Sequence, residues 1–419
     1  MLKRIKIQGY KSLVDVEVHL QPLTVLFGPN ASGKSNFLDA LQLLSRIANS
    51  HTLREAFAPP YRGLPVESFT FDSKGIQGIV EQERVSFSFE ADVELSQTVV
   101  ESVNQKIRSS RNIKTVAEGK KVDSGSQITY VHERNLSYRI EIEMFPKAGM
   151  LRIANEALTL LNTGGEKPGG ILSENFSDVS FLSQPPYGYQ PMLPYIDAMR
   201  QELANWFFHY FEPHTQMRIP TPIKEARHIG LMGEDLNAFF NTLRVLDEKQ
   251  FKALEKALHV MIPSVTSIDV HINNRGEIEL NLKEGDKPVS TRLLSDGTIR
   301  ILGLLTLGGA KESPSLIGLE EPENGIYPDR MDLIALLLES RATSGIQMIV
   351  TTHSPVLLDL IARESLFVCR KRNGRTEITP LSALGLPDKD DSQNGEIDFD
   401  IPELTIAERI IRGYFDAEN

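Results

Sequence analysis

Cysteine and tryptophan each occur once in 419 residues, as Cys369 and Trp206. A lone thiol, set beside the apolar run Leu366-Phe367-Val368, cannot form an internal disulfide, and without a disulfide framework a cytoplasmic setting is the expectation. No apolar run approaches the ~18 residues that span a bilayer, and the first residues lack the apolar core of a secretory signal, so neither an anchor nor a membrane partner is expected. Positive charge is in deficit, the net charge being −11. That argues against a surface coated with cations for nucleic acid, although a local basic strip escapes such a total. Internal repeats are missing, as are heptad runs long enough for a coiled-coil arm. The remaining composition, 41% hydrophobic and 24% charged, is that of a globular protein with core enough for two or three domains.

One stretch organises the chain. Gly28-Pro29-Asn30-Ala31-Ser32-Gly33-Lys34-Ser35 has the G-x-x-x-x-G-K-[ST] spacing of a phosphate-binding loop. Leu23–Phe27 before it is a short apolar, β-leaning run, and Phe37, Leu38, Leu41 and Leu44 after it recur at helical spacing, so a helix starts near Lys34. In that context the loop amides and the helix N-terminus would cradle β- and γ-phosphates, Lys34 would neutralise them, and Ser35 would ligate Mg²⁺.

Elsewhere, Leu2–Ile7 and Leu13–Leu20 read as strands, the second cleanly alternating, and Phe69–Phe71, Val85–Val93 and Tyr130–Met144 extend a small antiparallel sheet. Between about Ser102 and Ser126 the pattern fails while Lys106, Arg108, Arg111, Lys114, Lys120 and Lys121 gather. A solvated segment is favoured there over a DNA-facing loop. Pro146 to Pro194, rich in Gly, Pro, Ser and Asn, reads mostly as a loop insertion. Met192–Phe211 reads as a helix ending in a core-forming aromatic cluster. Leu236–Leu246 and Phe251–Met261 form a helical hairpin stopped by Pro263, and Ser267–Ile272 with Ile278–Leu282 a β-hairpin around Asn274-Arg275-Gly276.

Three later stretches carry chemistry. Leu316-Ile317-Gly318-Leu319-Glu320-Glu321-Pro322 is an apolar strand delivering two acids at its C-terminal end, where metal ligation and water activation usually occur. Alternation along the strand would aim them apart, Glu320 to a metal and Glu321 to the attacking water. Gln347–Ser354 is a second buried strand, ending in His353, which could donate to a γ-phosphate. Leu293–Thr298 opens the helical pattern Ile299–Leu307, with Ser295 and Gly297 as an anion site or as a plain helix cap.

In this order the motifs resemble those of prokaryotic ABC-class ATPases of the SMC/RecF/OLD branch, in their short, coiled-coil-free "predicted ATPase" form, similar to ATPase subunits of anti-phage (abortive-infection) systems. The resemblance covers Lys3 to about Ala48 and about Trp206 to Arg372. Its marks are Tyr10-Lys11-Ser12, Gly233-Glu234-Asp235-Leu236-Asn237, Ser295-Asp296-Gly297-Thr298, Glu320-Glu321-Pro322-Glu323-Asn324-Gly325 and Thr352-His353-Ser354-Pro355. It implies ATP and Mg²⁺, with Lys11, Gly28, Asn30, Ser32, Gly33, Lys34, Ser35 and Asn36 on the nucleotide. It implies Glu320 in the Walker B slot, Glu321 as general base, His353 as switch histidine, and Ser295 and Gly297 as a signature meeting ATP on a second subunit. Glu320 stands where the wider class has Asp, so metal contact can run through water. Asp296 replaces a glycine, and its charge must point away from phosphate. A Q-loop glutamine stays open between Gln77, Gln82 and none.

The fold expected is α/β, a P-loop NTPase of ABC/SMC-head type with a mostly parallel central sheet, an antiparallel β-lobe and an inserted helical lobe at about 191–261. Its divisions are 1–145, 146–290, 291–380 and 381–419. The expected function is an ATP-hydrolysing switch that dimerises around ATP and controls DNA engagement or a separate effector, possibly a nuclease, in phage defence or DNA maintenance. The alternative is a nucleotide-responsive scaffold or toxin-control protein with negligible turnover. A transporter subunit fits poorly, because the signature lies too far along the chain. A TOPRIM nuclease does not fit in the roughly fifty residues after the His353 region, which run into the acidic stretch Asp388–Asp400. The final amphipathic segment Leu404–Ala417, with Ile406, Ala407, Ile410, Ile411 and Tyr414 on one face, is expected to fold back on the core rather than dock on an effector.

Overall fold

The strand before the phosphate loop, Leu23–Phe27, is buried at every position and runs parallel to strands on both sides. A strand sealed on both faces needs a continuous apolar run, which is what the sequence shows there. The computed structural model describes residues 1–118, 130–161, 170–173, 177–184, 193–384 and 405–411. These fold as two compact units. One comprises residues 1–20, 36–206 and 371–378, the other residues 21–35, 207–370 and 379–419. The units therefore interleave along the chain, unlike the consecutive divisions at 145, 290 and 380 expected from sequence.

The first unit contains a six-stranded antiparallel sheet in the order Leu13–His19, Leu2–Tyr10, Val85–Glu94, Asn135–Phe145, Met150–Leu160, Gly170–Ser173. Phe87, Phe89, Ala91 and Val93 alternate inward, and the Tyr10 ring meets both phenylalanines edge-on at 5.4 Å. Two expectations are corrected here. Gln97–Glu118 is a helix rather than a segment without pattern, anchored by buried Val99, Val100 and Val103, with Lys106 and Arg108 exposed to solvent as expected. Met150–Leu160 is a strand rather than part of a loop insertion, turned back from its neighbour at Gly149, whose φ is 62°. An acid at an inward position hides its alternation. Glu156 is fully buried and accepts from the Tyr138 hydroxyl at 2.6 Å and the Phe181 amide at 2.9 Å. Burial pushes that carboxyl upward from its usual range.

The second unit is built on parallel strands in the order Leu366–Arg372, Leu23–Phe27, Gln347–Thr352, Leu316–Glu320, with Trp206–His209 beyond Leu316–Glu320. Its core joins Val25, Ile317, Leu319, Met348 and Val350 to Phe239, Phe240, Leu258, Leu280 and Leu302. Helices Leu236–Leu246 and Glu248–Met261 form the expected hairpin, followed by the antiparallel strands Val265–Ile272, Glu277–Glu284 and Lys287–Ser290. The helical lobe is shorter than expected. Its first helix, Leu193–Ala204, belongs to the first unit, and the aromatic cluster continues as strand Trp206–His209. The short helix Ile406–Ile411 folds back, with Ile406 in this core and Ile410 against it. Asp388–Asp400, Lys120, Lys121 and Gly164-Gly165 lie outside the described residues.

Burial in this core pushes the His209 imidazole down to about 4 from its ordinary 6.5. A carbonyl can only accept, so Nδ1, 3.1 Å from the Gly230 carbonyl, carries the proton of the neutral ring. The folded-state value being the lower, this stability is complete above pH 6.5 and lost as pH falls toward 4, up to ~3 kcal/mol at 1.36 kcal/mol per pH unit. Urea midpoints between pH 7 and 4.5 should fall more steeply in the wild type than in His209→Gln. Parallel curves would remove His209 as the cause.

Candidate functional site

The chain leaves strand Leu23–Phe27 into a loop that only particular residues can make. Gly28 has φ 149°, and a Cβ there would lie 2.1 Å from the Cys369 carbonyl oxygen of the adjacent strand. Gly33 takes φ 104°, and Ala31 accepts the left-handed region at φ 60°. The loop closes through the Ser32 amide to the Pro29 carbonyl at 3.3 Å, leaving Asn30 and Ala31 exposed at the tip. Lys34 begins the helix Lys34–Asn49, and its buried ammonium donates to the carbonyls of Gly28 at 2.9 Å and Pro29 at 3.0 Å. Burial lowers its proton affinity, while the charges of Glu321, Glu320 and Glu323 oppose that change. Cys369 is buried and its thiol is pushed up to about 12, so it is chemically quiet beside the loop.

Two paired contacts face this loop within the same unit. Buried Glu320, the last residue of strand Leu316–Glu320, accepts through Oε1 from the Ser35 hydroxyl. Its extra methylene relative to Asp does not prevent it from reaching the helix start. Glu321 holds the second pair, its Oε1 lying 2.8 Å from Nε2 of His353 at the end of strand Gln347–Thr352. Its Oε2 accepts from Asn324 Nδ2 at 2.5 Å. The two acids diverge, but not by strand alternation. The strand stops at Glu320, and Glu321 turns out with φ 46° while its amide still bonds the Thr351 carbonyl at 2.9 Å.

The Ser295–Thr298 segment opens helix Asp296–Leu305. Ser295 is an exposed N-cap, accepting from the Thr298 amide at 3.2 Å, so in this chain by itself it makes the plain cap. Gly297 is buried, and a Cβ on it would come 2.4 Å from the Gly325 carbonyl oxygen, which brings the signature against the turn after Glu321. Asp296 forms an ion pair with Arg218 at 2.7 Å, and His214 Nε2 lies 2.8 Å from its other oxygen. Arg218 also donates to the carbonyls of Thr291 and Arg292, tying the approach to the helix. No sequence signal pointed to Arg218 or His214. Glu323 lay inside a quoted motif without a role.

Lys11 and Asn36 belong to the first unit. Lys11, at φ 47°, is paired with Asp39 at 2.8 Å, which Arg62 also holds. Asn36 donates to the Ser12 hydroxyl at 2.7 Å. Lys11, Ser12 and Asn36 line a cavity of about 370 Å³ with Thr70, Phe71 and Lys371. Gln82 donates to the Gly78 carbonyl, which does not single it out as a nucleotide sensor.

The family model described as AAA ATPase domain matches residues 1–151, and that described as AAA domain, putative AbiEii toxin, Type IV TA system matches residues 174–359. A 91-residue stretch is 38% identical to the chromosome partition protein Smc of Desulfitobacterium hafniense (strain Y51), covering 21% of this chain and 7% of that protein. A 44-residue stretch is 41% identical to the OLD nuclease of Thermus scotoductus (strain ATCC 700910 / SA-01), covering 10% of this chain and 8% of that one. The chain thus spans less than a tenth of the length of these relatives. The crystal structure of the SmcHead bound to the C-winged helix domain of ScpA aligns over 90% of this chain and 97% of its own, with TM-score 0.52 and 14% identity. At that identity the likeness is one of fold, the P-loop NTPase head. Each family model matches part of the chain, which is thus similar to AAA ATPases of SMC/OLD type.

The donor set tests the expected metal. Ser35 and Glu320 offer two hard oxygens already in contact. Mg²⁺ commonly takes one or two protein oxygens and completes its shell with phosphate and water. Among the described residues no cluster of three His, Cys, Asp or Glu side chains could form a closed cage. The residues fit Mg²⁺ bound together with a phosphate ligand. No described helix is long and apolar enough to cross a membrane.

Proposed function

We propose that this chain is an ATP-hydrolysing switch that dimerises around ATP and controls a separate effector or DNA engagement. The observation that carries the reading is the pair of contacts at the C-terminal ends of neighbouring parallel strands, Ser35 with Glu320 and Glu321 with His353. Ser35 and Glu320 would hold Mg²⁺, which when bound offsets phosphate charge. Lys34 and the loop amides would bind the β- and γ-phosphates, with Gly28, Asn30, Ser32 and Gly33 shaping the cradle. Glu321 would take the proton of the attacking water, and His353, already on Glu321, would report the γ-phosphate. Ser295 and Gly297 would complete the site of a second copy. The SmcHead's partner ScpA and the OLD relative's nuclease name are the models for a protein effector and for action on DNA. The AbiEii-type match supports the second reading, control of a toxin with negligible turnover.

A steady-state assay of the purified chain with Mg²⁺, with and without DNA, separates the two. Mg²⁺-dependent phosphate release is expected, with the DNA left intact. ATP binding without release would favour the scaffold reading. DNA cleavage by this chain alone would overturn the separate effector.

A further inference from the structure

We infer that Glu323 is a positioning residue that sets the His353 loop, so that the imidazole meets Glu321. The inference rests on the reading of Glu321 and His353 as base and switch. Glu323 is 8% exposed, in the turn that follows strand Leu316–Glu320. Its Oε1 accepts from the Thr352 hydroxyl at 2.6 Å, the His353 amide at 2.9 Å and the Ser354 amide at 3.2 Å. Its Oε2 is also buried and accepts no hydrogen bond among the described residues. A carboxylate taken out of water is tolerated only where donors converge on it, and here they all converge from one loop.

That loop needs an acceptor. At His353 the strand Gln347–Thr352 has ended, and the next helix, Pro355–Asp359, begins only after Ser354, whose hydroxyl caps the Leu357 amide. The His353 amide therefore points where neither strand nor helix supplies a carbonyl, and Glu323 supplies the oxygen. The Ser354 amide is shared between Glu323 and the Thr352 hydroxyl, 2.9 Å away, which itself donates to Glu323. The turn carrying Glu323 also carries Glu321 and Asn324. It thus grips His353 twice, the main chain through Glu323 and the ring through Glu321, with Asn324 steadying the Glu321 carboxylate. Glutamine could keep the accepting oxygen but would place an NH₂ where Oε2 is buried without an acceptor. Aspartate would fall a methylene short.

Hydrogen exchange on the full chain without nucleotide tests this. In Glu323→Ala, and in Glu323→Met, which keeps volume but supplies no acceptor, the amides of His353 and Ser354 should exchange at least about tenfold faster. Glu323→Gln should fall between, and the Glu321 amide, bonded to Thr351, should stay as in the wild type. Unchanged exchange at 353 and 354 in either acceptorless variant that keeps wild-type protection elsewhere overturns the inference. A double-mutant cycle gives a second readout. With His353→Ala already present, Glu323→Met should slow kcat little further and leave KM near that of the single variant. Multiplied losses would mean that Glu323 acts on its own and would overturn positioning. A wild type without ATP turnover refutes the reading of Glu321, while the exchange result still decides the role of Glu323.

Discussion

Glu321→Gln is expected to bind ATP as the wild type does and to hydrolyse it ~10²–10⁴-fold more slowly, the usual worth of a general base. The amide has the shape of the carboxylate and can still meet His353 and Asn324, the two partners that hold Glu321 in place. What it cannot do is accept the proton of an attacking water. If Ser295 and Gly297 complete the site of a second copy, closure persists while ATP stays intact, and the variant should accumulate as a dimer only when ATP is present. Phosphate release measures the first effect and light scattering the second. Unchanged kcat would remove Glu321 as the base. An oligomer of the same mass with and without ATP would count against ATP-gated dimerisation and leave the ATPase assignment standing.

Lys34→Ala should weaken ATP binding by at least ~10²-fold, since charge-assisted contacts to two phosphates are lost at once. The ammonium is held ready by the carbonyls of Gly28 and Pro29, and the acids around it oppose the lowering of its proton affinity by burial. Alanine is the best helix former at the first position of helix Lys34–Asn49, so the loop rather than the fold should suffer. Calorimetry reads the affinity, and a thermal melt checks that the chain is folded. Wild-type affinity in a folded variant would remove the phosphate-loop assignment.

The loop was legible because its backbone admits few residues. Gly28 abuts the Cys369 carbonyl and Gly33 takes a positive φ, so glycine at those points reports geometry directly. The buried parallel strands were legible too, as unbroken apolar runs ending in Glu320 and His353. Sequence reasoning failed where a long-range contact overrides the local pattern. Glu156 sits inward because Tyr138 and the Phe181 amide meet it, and an inward acid erased the alternation of Met150–Leu160. Trp206–His209 reads as helix locally but pairs at the sheet edge beside Leu316–Glu320. Glu321 leaves its strand in a conformation that glutamate does not advertise. Asp296 reads as a liability beside phosphate, and only the fold shows that Arg218 pairs with it and that His214 contacts it.

The phosphate loop is synthesised long before the strands that flank it. The Gln347 side chain reaches the Gln21 carbonyl across 326 residues, and both strands flanking Leu23–Phe27 come from the far end of the chain. At ~5–20 residues per second a ribosome needs roughly 15–65 s to cover that separation. Throughout that interval the apolar run Leu23–Phe27 has no sheet to enter, and Gly28 has no Cys369 carbonyl to abut. A chain that has not yet reached Cys369 therefore has the loop sequence but lacks the neighbours that shape it.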